Sequence, residues 1–287
     1  MVQPELMTVN AQARKVLINL HADLEAKLDR DVVAIVGPIM FGVEQTLREA
    51  IDATVGRRPR LAVVLHTGGG IVEVAERIVN VLRHFYQDVA FIIPDVALSA
   101  GTVLAMSGDE LMMDYYSCLG PIDPQVQRDN KLVPALSYLV QFDRLMAKAQ
   151  AGTATTADLT LLAKLDLAEL HKFEMAAKLS RTLLVKWLAK YKFKDWTITE
   201  STKKTVSQKD REQRAEEIAR KLGDHEHWGS HGRGIPMDVL QTELNLRITD
   251  FGATPALSAA IRDYFKLLTD FMVTNEMQQL VHAKNFL

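Results

Sequence analysis

The sequence has very little cysteine and no excess of either charge. Cys118 is the only cysteine in the 287 residues, so no disulfide can form within the chain, and we expect it to be a small buried apolar residue. Lysine and arginine total 34 against 36 aspartates and glutamates. This balance argues against nucleic acid as a partner.

Long apolar runs are also missing. The longest, Val32 to Val43, is interrupted by Gly37, Pro38 and Gly42. It is too short to cross a bilayer, which takes about 20 residues. Residues 11–28 carry several charges where a signal peptide would have an apolar core. We therefore expect no membrane span and a cytoplasmic location.

Strands and helices alternate between residues 31 and 115. Short β-branched or apolar runs predict strands, and apolar residues at helical spacing predict the segments between them. This alternation is typical of an α/β protein with a largely parallel sheet covered on both faces. The predicted strands are 32–36, 61–65, 89–93 and 111–113, and the predicted helices are 11–28, 44–54, 71–85 and 99–106.

The second half of the sequence is mainly helical in pattern. Helices are predicted over 135–150, 155–171, 172–192 and about 255–280, and residues 194–213 are predicted to be a solvated loop running into a helix. These patterns predict an N-terminal helical extension (1–30), a main α/β domain (31–250) with a helical insertion at about 135–222, and a C-terminal helical extension (251–287).

A glycine turn, His66–Gly70, stands between a predicted strand and a predicted helix. Such a turn presents backbone N–H groups to an anion, which could be a phosphate or a developing oxyanion. The turn has neither the GxGxxG spacing nor a Walker lysine, so phosphate is the weaker interpretation. A purely structural tight turn, which needs glycine for its backbone angles, is the alternative.

Ser99 lies in a segment of small residues, Ala97–Thr102, just after a strand and at the start of an apolar helix. Small neighbours let a substrate carbonyl approach, which is the logic of a nucleophile elbow, although the GxSxG pattern is absent. A helix N-cap serine explains the same pattern equally well.

Four motifs together resemble the serine dehydrogenase proteinase family of the Clp-protease/crotonase superfamily, related to signal peptide peptidase A. They are His66–Gly70, Ala97–Thr102, Ser107–Leu111 and Leu119–Gln125. The resemblance implies a ClpP/crotonase-like ββα superhelix with added N- and C-terminal helices.

The resemblance also implies roles for single residues. Ser99 matches the family nucleophile, and the oxyanion hole falls on backbone N–H groups of Gly69 and Ala100, with Gly70 adjacent. The family turn has proline before two glycines, where this chain has Gly68. We therefore expect a looser turn.

The general base is not fixed by the sequence. Clp-type peptidases have a histidine at a position that falls here near Ile122 and Asp123, and neither is histidine. The signal peptide peptidase branch uses a lysine from a later helix or a neighbouring subunit. His231 and Lys178 are the candidates, and each has a structural alternative.

Other candidates are weaker. Lys148, Lys164 and Lys172 lie on predicted helices, and His66 beside the glycine turn is a weak candidate. Asp123 is expected to have a structural role. The histidines at 225, 227 and 231 match no metal-site spacing, so no metal is expected.

The resemblance implies hydrolysis of a peptide or protein substrate without a cofactor, by a homo-oligomer. Two other functions stay open: a crotonase-type enzyme that acts on acyl-CoA thioesters, and a non-catalytic scaffold of the same fold. Labelling of an activated serine by a fluorophosphonate separates the peptidase from the acyl-CoA enzyme. A structure with no Lys or His side chain within about 4 Å of the Ser99 hydroxyl oxygen would favour the scaffold.

Overall fold

A computed structural model describes residues 8–122, 125–128, 131–200, 202–284 and 286. Helices and strands alternate in the first part of the chain, which confirms the sequence pattern. In order they are α1 (Val9–Leu28), β1 (Asp31–Val36), α2 (Val43–Asp52), β2 (Arg60–His66), α3 (Val72–Phe85), β3 (Asp88–Ile92), β4 (Val96–Ala97), α4 (Ala100–Ala105), β5 (Glu110–Met113) and β6 (Cys118–Leu119).

The remainder is mainly helical, with short strands between the helices. In order these elements are β7 (Gln125–Arg128), β8 (Lys131–Pro134), α5 (Ala135–Gln150), α6 (Thr156–Ala163), α7 (Leu167–Trp187), α8 (Gln208–Leu222), α9 (His225–Trp228), β9 (Ile235–Pro236), α10 (Met237–Thr242), β10 (Thr249–Asp250), α11 (Pro255–Thr274) and β11 (Leu280–Ala283). A π-helical turn, Leu188–Lys192, continues α7.

Some predicted boundaries were wrong, and side-chain capping explains the first of them. The predicted helices 155–171 and 172–192 divide earlier, because the Asp166 carboxylate accepts the backbone N–H groups of Ala168 and Glu169 and starts α7. The last predicted helix ends at Thr274, and the buried segment Leu280–Ala283 forms a strand instead.

Within the described residues, the largest sheet has the strand order β10-β5-β3-β2-β1-β11. Strands β1, β2, β3 and β5 pair in parallel, and β11 pairs antiparallel with β1. A smaller sheet has the order β4-β6-β9. Its strand β4 continues the chain from β3 and leads into α4, so the small sheet lies at the carboxyl end of the large one.

Side chains along the sheet alternate between two apolar clusters. Val33 and Ile35 of β1 face a cluster completed by α2, α3, α4, α7 and α8, whereas Val32 and Ala34 face one completed by α1 and α11. This period of two is what an extended strand imposes on its neighbours. Both faces of the sheet are therefore covered, as its continuous apolar strands predict. No helix in the described ranges has the length and apolar composition needed to cross a bilayer.

A buried polar cluster joins α1, α11 and β11. The Tyr264 hydroxyl lies 2.5 Å from Nδ1 of His282, and Nε2 of His21 lies 2.8 Å from the Val32 carbonyl oxygen. Both histidines are buried, and Glu25 Oε1 lies 4.0 Å from Nδ1 of His21. Burial lowers the pKa of His21 and lowers that of His282 to about 3. Both rings are consequently neutral at pH 7.

This cluster makes the free energy of unfolding depend on pH. His282 is protonated more readily in the unfolded chain, near pH 6.5, so its contribution is present above that pH and is lost as pH falls toward 3. From pH 7.5 to pH 5, we expect about 2 kcal/mol of unfolding free energy to be lost through this group. The variant His282→Gln keeps a hydrogen-bond acceptor for Tyr264 but has no titrating group at this position. Urea unfolding of the variant at the two pH values should therefore lack this loss of about 2 kcal/mol. An unchanged loss in His282→Gln would show that another group is responsible.

Candidate active site

The glycine turn after β2 is held against the loop that follows β1. The N–H of Ile39 donates to the Gly69 carbonyl at 2.9 Å, and the N–H of Ile71 donates to the Ile39 carbonyl at 2.8 Å. A Cβ built on Gly70, whose φ is +148°, would lie 2.2 Å from the Ile39 carbonyl oxygen. The turn therefore needs glycine at 70 both for its backbone angles and for this close approach.

Ser99 lies at a sharp bend between β4 and α4. Its backbone angles are φ 53° and ψ −118°, a region that residues other than glycine rarely adopt. Such a conformation costs on the order of 1–3 kcal/mol and persists only where the surroundings enforce it. The side chain is half-buried, so its hydroxyl is within reach of the surface. A strained strand-to-helix bend that carries an accessible serine is the geometry of a nucleophile elbow.

The structure brings Ser99 and the glycine turn together. A Cβ built on Gly69 would lie 2.8 Å from Cβ of Ser99 and 3.0 Å from the Leu98 carbonyl oxygen. The same position is 3.4 Å from the Ser99 hydroxyl oxygen. Any side chain at 69 would therefore displace the elbow.

The backbone amides around the serine differ in their engagement. The buried Gly69 N–H donates to the Thr67 hydroxyl oxygen at 3.0 Å. Among the described residues, the N–H groups of Gly70 and Ala100 have no hydrogen-bond acceptor. Gly70 is exposed to solvent, whereas Ala100 occupies the first position of α4, where helix N–H groups lack internal partners. The predicted oxyanion role of Gly69, Gly70 and Ala100 stays a prediction.

Thr102 holds the bend at Ser99 in place through hydrogen bonds made by its buried hydroxyl, and its role was not predicted from the sequence. Its fully buried hydroxyl lies 2.8 Å from the Ala97 carbonyl oxygen and 2.9 Å from the Gly120 carbonyl oxygen, and it accepts the Gly120 N–H at 2.9 Å. The hydroxyl thus ties α4 to the strand before Ser99 and to the Gly120 loop. Its place three residues after the serine was the available sequence signal.

His66 packs on the other side of the sheet from α4. Its ring lies 5.2 Å from that of Phe265 in α11, whereas the methyl group of its neighbour Thr67 faces Gly101 of α4. Burial lowers the pKa of His66, although Asp95, whose Oδ2 is 3.4 Å from Nδ1, acts in the opposite direction. The ring is neutral at pH 7 and directed away from the elbow.

The two candidate bases have different surroundings. His231 is half-buried and lies four residues before β9. Strand β9 pairs with β6, and β6 pairs with β4, the strand that leads into Ser99. Lys178 is exposed on α7, in a groove whose lining does not include Ser99. No hydrogen bond joins the Ser99 hydroxyl to another residue in the part of the chain that the structure describes.

Two further candidates add little to the site. Asp123 lies outside the described residues. His227 Nε2 lies 3.2 Å from a carboxylate oxygen of Glu243, and the described residues contain no group of three or more His, Cys, Asp or Glu side chains placed to hold a metal.

The elbow and the glycine turn both fall within a segment that matches a known family. Residues 39–170 match the family of ClpP-like SDH-type serine proteinases. The family and the ClpP-like fold predicted from the four motifs are thereby confirmed for this segment, and the match supports a serine peptidase.

The curated relatives match over shorter stretches. The chain is 32% identical over 117 residues to the uncharacterized protein MJ1495 of Methanocaldococcus jannaschii, and 37% identical over 83 residues to MJ0137 of the same organism. These matches span 41% and 29% of this chain, but only 38% and 28% of the relatives' own lengths.

Among solved structures, the chain is similar to two variants of the 1510-N membrane-bound stomatin-specific protease. A serine-to-alanine variant is 19% identical, with a TM-score of 0.32, over 50% of this chain and 74% of that one. A lysine-to-alanine variant in complex with a substrate peptide is 12% identical, with a TM-score of 0.43, over 76% of this chain and 73% of that one.

The anchoring role of Thr102 predicts a stability loss. Thr102→Val keeps the volume but leaves the Gly120 N–H without its acceptor and a carbonyl oxygen without its donor, so we expect the unfolding free energy to fall by about 1–3 kcal/mol. Urea unfolding measures this loss.

Two control variants separate the hydroxyl from the side chain's other contributions. Thr102→Ser keeps the hydroxyl and should lose about 0.8 kcal/mol, the value of one methyl group. Thr160→Val removes an exposed helix hydroxyl bonded to the Thr156 carbonyl and should change stability by less than about 0.5 kcal/mol. A Thr102→Val protein as stable as the wild type would contradict the anchoring role.

Proposed function

We propose that the chain hydrolyses peptide bonds through an acyl-enzyme formed on Ser99. The observation that carries this proposal is the strained bend at Ser99, placed against the turn at Gly69 with its side chain half-exposed. The hydroxyl would attack the scissile carbonyl and expel the amine, and water would then hydrolyse the ester. The chemistry needs no cofactor.

We propose the N–H groups of Gly70 and Ala100 as the principal oxyanion donors. Both lack an acceptor among the described residues, whereas the Gly69 N–H is engaged by Thr67. Gly69 would contribute by its missing side chain and, once substrate is bound, by turning its amide from Thr67. A preorganised donor of this kind contributes about 3–4 kcal/mol to transition-state stabilisation.

For the general base, the connections of the small sheet support His231 over Lys178. The loop that carries His231 enters a strand only two positions from the strand that leads into Ser99. Lys178 lies on the exposed side of α7 and is the alternative. Either residue could act on Ser99 of the same chain or of a neighbouring copy, and we propose a homo-oligomer acting on a peptide or protein substrate.

The serine and its base can be tested by one reaction. Wild-type protein should be labelled by a fluorophosphonate, and Ser99→Ala should abolish labelling because the reacting oxygen is gone. His231→Ala should slow labelling by at least about 100-fold, since proton removal by a positioned base contributes about 10²–10⁴-fold. Mass spectrometry of the labelled peptide identifies the reacting residue. Comparison of the labelling rates of wild type and His231→Ala measures the contribution of the proposed base.

His227→Ala is the matched control, because His227 is a nearby exposed histidine paired with Glu243. It should label at the wild-type rate. If Lys178→Ala slows labelling and His231→Ala does not, the base is Lys178. If the wild-type protein is not labelled at all, the peptidase proposal is contradicted, and a non-catalytic scaffold or an acyl-CoA enzyme is favoured.

A further inference from the structure

A groove of about 970 Å³ lies between α7 and α8, away from the elbow. Within the described residues its walls carry five basic side chains and two acidic ones, an excess of three positive charges in a chain whose net charge is −2. The lining residues with charge are Lys178, Arg181, Lys186, Lys190, Arg211, Glu212 and Glu216. The family match ends at residue 170, so both walls lie almost entirely beyond it.

Most of the positive charge is not neutralised locally. Arg181 pairs with Glu216 across the groove and thereby links its two walls. Lys186 is 3.9 Å from Glu76, which is a weak exposed pair. For Lys178 and Lys190, the described residues include no carboxylate within ion-pair distance. These exposed ammonium groups are available to an anionic ligand.

Three of the basic side chains, Lys178, Lys186 and Lys190, form a stripe along α7 and its continuation, and the neutral Thr182 lies between the first two. Residues four apart on an α-helix are about 6 Å apart along the axis, so Lys178 and Lys186 are about 12 Å apart and Lys186 and Lys190 about 6 Å. Alternate side chains of an extended peptide lie on one side at a spacing of about 6.6 Å. The stripe from 178 to 190 is roughly 18 Å long, which is the length of about five extended residues.

The floor of the groove suits a peptide backbone. Val185 and Ala189 supply apolar surface, and Thr182 and Gln208 supply neutral hydrogen-bonding groups between the charges. A ligand of this fit has several carboxylates along one side of an extended backbone, with small side chains between them. Leu183, Leu184 and Trp187 of α7 pack in the same apolar cluster as α4, the helix that begins directly after Ser99.

We propose that this groove binds an acidic segment of a protein in extended conformation and recruits that protein to the site at Ser99. That the bound protein is a substrate rests on the proposed peptidase function, but the binding itself does not. Cleavage of proteins with acidic segments would then depend on the groove, whereas cleavage of short neutral peptides would not.

Binding is tested on full-length Ser99→Ala protein, so that its outcome is independent of catalysis. The probe is a fluorescein-labelled peptide of alternating glutamate and serine, about six residues long, followed by anisotropy. We expect saturable binding that weakens as salt is raised, because exposed charges are screened. The Lys186→Gln/Lys190→Gln variant should bind about tenfold more weakly.

The control is Lys15→Gln/Lys266→Gln, which removes the same charge from exposed positions on α1 and α11. It should bind the probe as the unmodified groove does. Equal loss in the two double variants would overturn the proposal, because it would show a response to net charge alone. Equal binding of the glutamine-serine peptide, or tighter binding of a thymidine oligonucleotide of the same length, would also overturn it.

Discussion

The candidate site depends on a close approach between Gly69 and Ser99. A Cβ at residue 69 would overlap the serine's own Cβ at 2.8 Å, so the absence of one side chain sets the distance between two turns. Pairing of Thr67 with β4 holds the approach from the strand side, since the N–H of Thr67 donates to Val96 and the N–H of Leu98 donates to Thr67. The position of the serine hydroxyl follows from these backbone contacts.

The strained conformation of Ser99 persists because its neighbours are fixed on both sides. Thr102 secures the helix that follows the serine with a fully buried hydroxyl, and Gly101 leaves room for the Thr67 methyl group, which would lie 2.4 Å from a Cβ at 101. These contacts offset a backbone cost on the order of 1–3 kcal/mol. The result is a half-exposed serine side chain held against Gly69, on which the proposed acyl transfer depends.

Much of the fold was predictable because its strands are continuous apolar runs and its helices have broad apolar faces. The site was predictable in part, since Ser99 and Gly69 lie in motifs whose order along the chain is specific. Strand β11 was not predictable, because a four-residue segment shows no clear hydrophobic period and its partner β1 is distant in sequence. The general base could not be predicted either, because separation along the sequence does not give the distance in space between a side chain and Ser99. Residues 194–213, which include the first residues of α8, were predicted to be a solvated loop running into a helix, because polarity alone does not show which charges face each other.

A crystal structure of the protein after reaction with a fluorophosphonate would show whether Ser99 reacts beside the proposed oxyanion donors. We expect phosphorus bonded to the Ser99 oxygen, with a phosphoryl oxygen about 2.7–3.1 Å from the amide nitrogens of Gly70 and Ala100. An adduct on another residue, or a phosphoryl oxygen directed to solvent with neither amide in range, would contradict this expectation.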